Sequence, residues 1–337
     1  MDSMQLVQVT RGSIIESAHR GHIAVVDSKG ELLFYAGNPE KIVFARSSMK
    51  PIQAIPVVET GAADRFKLDD ADLSLCCASH SGEVMHTGRV HSILGRAGLE
   101  ASHLQCGTHI PHWPDSYIQL MKEGKEVTPL YNNCSGKHTG MLVTAKHLHE
   151  SVEDYYELSH PVQQRILSAV SEMTNYPAEK IEIGIDGCGV PVHGLPLKNI
   201  AFAYARMANP HLLSDDRKLS VRRITKSLIA APEMVGGTER FCTDFMKAGN
   251  GRFFGKAGAE GVYCIGDLET GIGIAIKIED GNGRAVYPAA VETLKQLNLL
   301  SSQQLEELKG YCQPKLVNAR KESVGELIPD FQLIPVH

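Results

Sequence analysis

The hydrophobic pattern of this chain changes period between its ends and its middle, and that change restricts the fold more than any single motif does. Residues 6–35 read as strands, with Ile23-Ala24-Val25-Val26-Asp27 and Leu32-Leu33-Phe34 on either side of the turn Asp27-Ser28-Lys29-Gly30. An N-terminal β-meander is expected there. Strand-like runs return at residues 262–266 and 271–279 and once more in the tail, residues 317–336. Between the two ends the spacing is helical, at 50–61, 83–95, 139–148, 159–174, 199–207, 217–230 and 288–297. Gly61 suits the residue after a helix end, and Pro161 the first turn of the helix that follows Ser159 and His160. Leu73 to Ala78 is apolar throughout and fits either a buried strand or a core helix turn, and Ile181 to Ile185 reads as a strand. Asp280-Gly281-Asn282-Gly283 carries a hairpin signal. Strands at both ends around a helical middle argue for an α+β fold, an α/β sandwich whose mainly antiparallel sheet is built from both termini and flanked by helices. With no repeat, low-complexity tract or linker, residues 1–337 are expected to form one domain, or two closely packed subdomains.

Charge and cysteine usage exclude several classes. A formal net charge of −5 gives no electrostatic reason to expect nucleic acid or an anionic membrane as partner. The first thirteen residues have no apolar core of the kind a signal peptide needs, and nothing later approaches a membrane-spanning length. The eight cysteines are unevenly spaced, with Cys76 and Cys77 adjacent, which in a chain without an export signal reads as reduced thiols. A cytoplasmic protein is expected.

Short polar turns sit at the ends of the apolar segments, where sites are usually carried. Arg46-Ser47-Ser48-Met49-Lys50-Pro51 places Ser47 and Lys50 three residues apart, on one face if the segment opens a helix. A serine hydroxyl needs a neighbouring base, and a lysine can be that base only where burial or positive charge lowers its pKa. Pro51 is tolerated in the first turn, and a helix N-terminus there would face developing negative charge. Further on come Ser79-His80-Ser81-Gly82, Cys134-Ser135-Gly136-Lys137-His138, Asp186-Gly187-Cys188 and Lys256-Ala257-Gly258, the last expected just before a strand. A Ser-x-x-Lys, a middle serine loop and a late Lys-x-Gly follow the layout of the serine β-lactamase and penicillin-binding group, although its Ser-Asp-Asn and Lys-Thr-Gly are Ser-His-Ser and Lys-Ala-Gly here. That parallel is one of architecture and does not fix the reaction.

The ordered strings RSSMKPIQAIP, ASHSGE, CGTHIP, NNCSGKHTGML, GIDGCGVP, GGTERF and KAGAEGV resemble more closely the second asparaginase family, the rhizobial thermolabile type with a serine β-lactamase-like fold. The resemblance spans residues 46–262 with family-like sequence on both flanks. It implies hydrolysis of L-asparagine to L-aspartate and ammonia by a homodimer, with two Ser–Lys pairs that map onto Ser47 with Lys50 and Ser79 with Lys256. It also implies a metal site at Cys134, Lys137 and Cys188, with His138 and Asp186 beside it; zinc is a candidate ion there, its identity and occupancy left open, and Ser/Lys chemistry requires no cofactor.

Amide hydrolysis needs a nucleophile, a base, a proton for departing ammonia and donors for the oxyanion. The expectation is that Ser47 attacks and Lys50 relays its proton, with Ser79 and Lys256 completing the network or exchanging roles with the first pair. Arg46 and Asp186 are candidates for the substrate's carboxylate and ammonium, and His80, Cys134 and His138 for its other polar groups. The bland alternatives are that His80 caps a loop and that Cys134 and Cys188 are small buried hydrophobes. Lysine is a poor zinc ligand, because it must first lose its proton. The rival readings are a glutaminase or broader amidase, a penicillin-recognising acyltransferase, a zinc hydrolase, and a catalytically inactive amino-acid-binding protein.

Overall fold

Both ends of the chain enter one antiparallel sheet in the computed structural model, which describes residues 2–336. Its strands lie in the spatial order Lys315–Val317, Ser323–Pro329, Met4–Arg11, Ile14–Val26, Gly273–Ile278, Val262–Asp267 and Phe253–Gly258. The second half of Ile14–Val26 also pairs with Leu32–Ala36, which carries Ile334–Pro335 on its other side. The N-terminal meander and the returning C-terminal strand are therefore present. The sheet belongs to one of two compact units, formed by Met1–Ser48, Leu195–Asn209 and Asp244–His337. The other unit comprises Met49–Gly194 and Pro210–Thr243.

The sheet's central strands are covered on both faces, which is why they read as continuous apolar runs. Tyr263 meets Tyr287 of helix Gly283–Gln296 with ring centroids 5.9 Å apart and stands opposite Ile276 on the neighbouring strand. Gly273, an odd number of residues from Ile276, faces the other way. A Cβ there would come within 1.9 Å of the Ala201 carbonyl in helix Leu197–Ala208, so only glycine admits the helix this close. Asp267 ends strand Val262–Asp267. It is fully buried, accepts two bonds from Arg252 at 2.8 and 2.7 Å, and also takes the Thr270 hydroxyl and the Glu269 N–H.

Two local expectations are corrected here. The Asp280–Gly283 turn starts helix Gly283–Gln296 instead of a hairpin, with Asn282 accepting the Arg284 N–H. Asn and Gly serve helix caps as well as tight turns, so the tetrapeptide does not separate them. Lys256 lies inside strand Phe253–Gly258 and not on a loop before it.

The helical unit is built around Ser135–His147, every residue of which is buried from Ser135 to Ala145. The spacing suggested a shorter amphipathic helix starting at Thr139; the structure starts it four residues earlier and surrounds it with protein. Helices Asp70–Cys76, Val84–Arg96, Ile55–Glu59 and Pro161–Thr174 all pack against it. Gly136 and Gly140 make the first of these contacts tight: a Cβ on Gly136 would lie 2.2 Å from the Leu75 carbonyl, and one on Gly140 3.2 Å from the Cys76 sulfur. The apolar run at 73–78 is thus a core helix, Asp70–Cys76, capped by the reciprocal bonds of Asp69 and Asp72. The helix expected over 50–61 is split into Lys50–Gln53 and Ile55–Glu59, because Pro56 has no N–H to continue the ladder. Gly61 does follow its end, at φ +82°. Strands Glu182–Ile185 and Pro191–Pro196 pair across residues 186–190, with Ile185 opposite Pro191.

Candidate active site

Within the helical unit, one buried ammonium gathers groups from three segments. Lys50 is fully buried, and its Nζ donates to the Ala78 carbonyl, to Ser79 Oγ at 3.0 Å and to Cys134 Sγ at 3.2 Å. The amine arrives from the start of Lys50–Gln53, where Pro51 occupies the first turn as its missing N–H requires. Ser79 comes from the loop that leaves Asp70–Cys76, and Cys134 from the N-terminal boundary of Ser135–His147, where Asn132 Oδ1 takes its N–H at 2.8 Å. The close packing at Gly136 brings the last two together.

A second pair adjoins the first. Lys137 Nζ donates to Cys188 Sγ at 3.0 Å, and both residues are buried. Cys188 is delivered by the Asp186–Val190 turn, in which Gly189 takes φ +86° and Asp186 Oδ1 accepts the Gly187 N–H. The hydrogen bond from Cys188, aided by the charges of Lys50 and Lys137 and opposed by burial, holds the Cys134 thiol well below 9.0. The same bond, together with burial, pushes Cys188 up. Burial works against the charge on Lys137, but Cys188 and Cys134 outweigh it and raise its pKa. These directions favour the negative charge on Cys134 over Cys188 and keep the positive charge on Lys137. Two sulfurs and an amine are also a donor set that fits a zinc ion with an open fourth position, once Cys188 and Lys137 release their protons. Among the described residues no three of His, Cys, Asp or Glu are grouped as a metal site, so Lys137 is indispensable to that reading.

The histidines divide. His80 is fully buried; its Nδ1 accepts the Gly82 N–H, so its proton is on Nε2, which donates to Ser135 Oγ at 2.9 Å. Burial, then His86 and Lys50, lowers its pKa far below 6.5. One ring nitrogen thus braces the serine loop internally and the other ties the loop to the central helix. His138 differs. The Tyr155 hydroxyl accepts the Gln105 N–H and shares a hydrogen bond with His138 Nδ1 at 2.6 Å. His138 Nε2 is buried and has no hydrogen-bond partner among the described residues. Ser135 and Tyr155 were passed over in the sequence; Ser135 lies inside a quoted string, while nothing marked Tyr155.

The sheet unit holds the remaining candidates. Arg46 opens a short 3₁₀ turn, Arg46–Met49, in a left-handed conformation at φ +51°. Ser48 is buried and spends its hydroxyl on the Ala45 carbonyl at 2.7 Å, whereas Ser47 is half-buried. Lys256 is 1% exposed, with Nζ on the Ala257 carbonyl at 2.7 Å. The glycines around it mark real crowding: a Cβ on Gly258 would lie 2.7 Å from the Ala45 carbonyl and 3.3 Å from the Ser48 nitrogen. The strand of Lys256 thus abuts the turn of Ser47, while Lys50 bonds to Ser79. The observed Lys50–Ser79 bond joins a lysine from one of the implied pairs to a serine from the other.

Buried hydroxyl, amine and thiol groups on an α+β scaffold are groups that an enzyme can use for nucleophilic and proton-transfer chemistry. The profile of the L-asparaginase II family matches residues 7–329, and the chain belongs to that family; its activity is of the asparaginase-type amidohydrolase class. No curated protein matches. Among solved structures the chain is similar to a putative β-lactamase from Bacteroides dorei DSM 17855, with a TM-score of 0.42, 12% identity, and coverage of 82% of this chain and 93% of that one. It is similar also to the D-alanine carboxypeptidase AmpC from Burkholderia cenocepacia (TM-score 0.39, 16% identity, 81% and 93% covered) and to Mglu in its native form (0.40, 15%, 85% and 67%). Likeness at that level fixes neither reaction nor substrate.

Proposed function

We propose that this protein hydrolyses the side-chain amide of L-asparagine to L-aspartate and ammonia by Ser/Lys nucleophilic catalysis. The observation that carries the reading is the bond between Lys50 Nζ and Ser79 Oγ at 3.0 Å, within a cluster closed to solvent. Ser47 attacks the amide carbon. Lys50 and Ser79 move the proton from the nucleophile to the departing ammonia, and Lys256 holds the second hydroxyl–amine relation. Splitting the reaction through a covalent acyl-enzyme makes each half easier than direct attack by water. Asp186 meets the ammonium of the substrate and an arginine its carboxylate, and the buried Nε2 of His138, without a partner among the described residues, is available for a further polar contact.

A zinc ion would be held by Cys134, Cys188 and Lys137, and when bound it supplies a Lewis-acidic positive charge beside the serine loop. The proton relay assigned above does not depend on it. We further infer a homodimer in the cytoplasm, with neither nucleic acid nor membrane as partner; among the described residues no helix is long and apolar enough to cross a membrane.

The test is ammonia release from L-asparagine beside L-glutamine, before and after chelation, with Ser47→Ala as control. Asparagine-selective release that is lost in the variant and survives the chelator supports the reading. Comparable release from glutamine replaces it with a broader amidase, since a pocket discriminates one methylene by only about 1–3 kcal/mol. Tight binding without turnover replaces it with an amino-acid-binding protein.

A further inference from the structure

The segment from Val235 to Arg240 is bound along the loop that carries Ser79. The Ser79 N–H donates to the Val235 carbonyl at 2.9 Å, and Ser81 Oγ donates to the Gly236 carbonyl at 2.9 Å. Glu83 accepts both the N–H and the hydroxyl of Thr238, at 2.8 and 2.7 Å. Gly237 takes φ +108°, and a Cβ there would lie 2.3 Å from Glu83 Oε1 and 3.0 Å from Ser81 Oγ. Glu239 follows in the left-handed region at φ +57°. A non-glycine residue held there costs on the order of 1 kcal/mol, and such strain persists where surrounding bonds impose it, commonly at functional sites. Its effect is to set Arg240, the next residue, against the serine loop, with Nη1 on Ser81 Oγ at 3.3 Å.

Arg240 is half-buried, and among the described residues that bond is the one recorded for a guanidinium with five N–H donors. No carboxylate forms an ion pair with it among the described residues. The other cations of this unit near the serine loop are committed: Lys50 to Ala78, Ser79 and Cys134, and Lys137 to Cys188. The nearby imidazoles supply no fixed charge, because burial lowers the pKa of His80, His86 and His112, and the Arg240 charge adds to this for the last two. An amino-acid substrate brings a carboxylate that a planar guanidinium fork binds in two-point fashion.

We propose that Arg240 is the anchor for the substrate's α-carboxylate, held in place by the Gly236-Gly237-Thr238-Glu239 segment. This rests on the amidase reading above. It makes Arg240 a binding residue that selects amino acids over simple amides, and it leaves Arg46 in the sheet unit for another task.

The experiment compares the unaltered enzyme with Arg240→Gln, Arg240→Lys and Arg46→Gln. It measures KM and kcat for L-asparagine, and calorimetric affinity for L-aspartate and for β-alanine, the same product without its α-carboxylate. Expected for Arg240→Gln is a rise of about 30-fold or more in KM with kcat retained within a few-fold, and a matching loss of L-aspartate affinity. Affinity for β-alanine stays unchanged, and Arg240→Lys recovers part of the loss. A fall in kcat with KM retained, equal losses on both products, or selectivity lost in Arg46→Gln alone would overturn the assignment while leaving the amidase reading intact. If the unaltered enzyme releases no ammonia from L-asparagine, the amidase reading fails and this one with it.

Discussion

Lys50 Nζ stands 3.0 Å from Ser79 Oγ and 3.2 Å from the Cys134 sulfur, so one buried ammonium links the serine loop to the start of the central helix. An amine in that position can pass a proton to or from the hydroxyl. Lys50→Met, close in volume and without charge or donors, is expected to lower kcat by about three orders of magnitude, and Ser79→Ala by about two. Ammonia release, with circular dichroism to confirm the fold, checks both. Near-normal turnover in Lys50→Met would remove it from the proton relay.

The hydrogen bond from Cys188 and the charges of the buried Lys50 and Lys137 favour the ionised form of Cys134 against the effect of burial. Cys134→Ala leaves the two lysines without a counter-charge and is expected to cost about 3 kcal/mol or more in urea denaturation. Cys134→Ser should be nearly as costly, because a serine does not ionise. If Cys134 were only a small apolar filler, both substitutions would fall near 1 kcal/mol.

Gly136 lets Asp70–Cys76 approach the central helix so closely that a methyl group would strike the Leu75 carbonyl, a backbone atom that cannot rotate away. Gly136→Ala is therefore expected to destabilise by about 2–3 kcal/mol and to reduce activity, since the same contact sets Cys134 against Ser79. Gly140→Ala, which meets side chains at 3.2 Å, should cost less. Thermal melts of the two variants would show this order or refute it.

The sheet unit has a pH dependence of its own. Burial alone would raise the Asp267 pKa, but the bonds from Arg252, Thr270 and the Glu269 N–H outweigh it and hold the carboxyl below its ordinary 3.8. A group whose folded pKa is depressed stabilises the fold above the unfolded value and ceases to do so as pH falls through the folded one. This stabilisation is thus complete above about pH 5 and disappears progressively below about pH 4. Asp267→Asn should lose about 2–3 kcal/mol at pH 7 and show a flatter decline in acid, measured by denaturant melts across that range. Parallel acid profiles for the two proteins would rule the contribution out.

Elements with a strong local period were legible: the N-terminal meander, the strands at 262–266 and 271–279, and the helices at 83–95 and 217–230 all appear within a few residues of where the pattern put them. Misreadings fell where one local signal serves two structures. Asp280-Gly281-Asn282-Gly283 can turn a hairpin or cap a helix, and residues 135–138 are polar yet start the most buried helix. The order of the polar strings identified which residues to watch, because they keep their chemistry wherever the fold places them.

What the sequence by itself determined was an α+β fold with a sheet drawn from both termini, the family, and the set of serines, lysines and cysteines that carry the chemistry. The tertiary structure decided their relations: Lys50 on Ser79 and Cys134, Cys188 on Lys137, and Arg240 on the serine loop. Spacing along the chain constrains neighbours three or four residues apart, whereas these contacts join residues 29 to 159 positions apart. They exist because Gly136 lets a backbone, and Gly237 the Glu83 and Ser81 side chains, come close, and because buried charges must find partners or lose their protons.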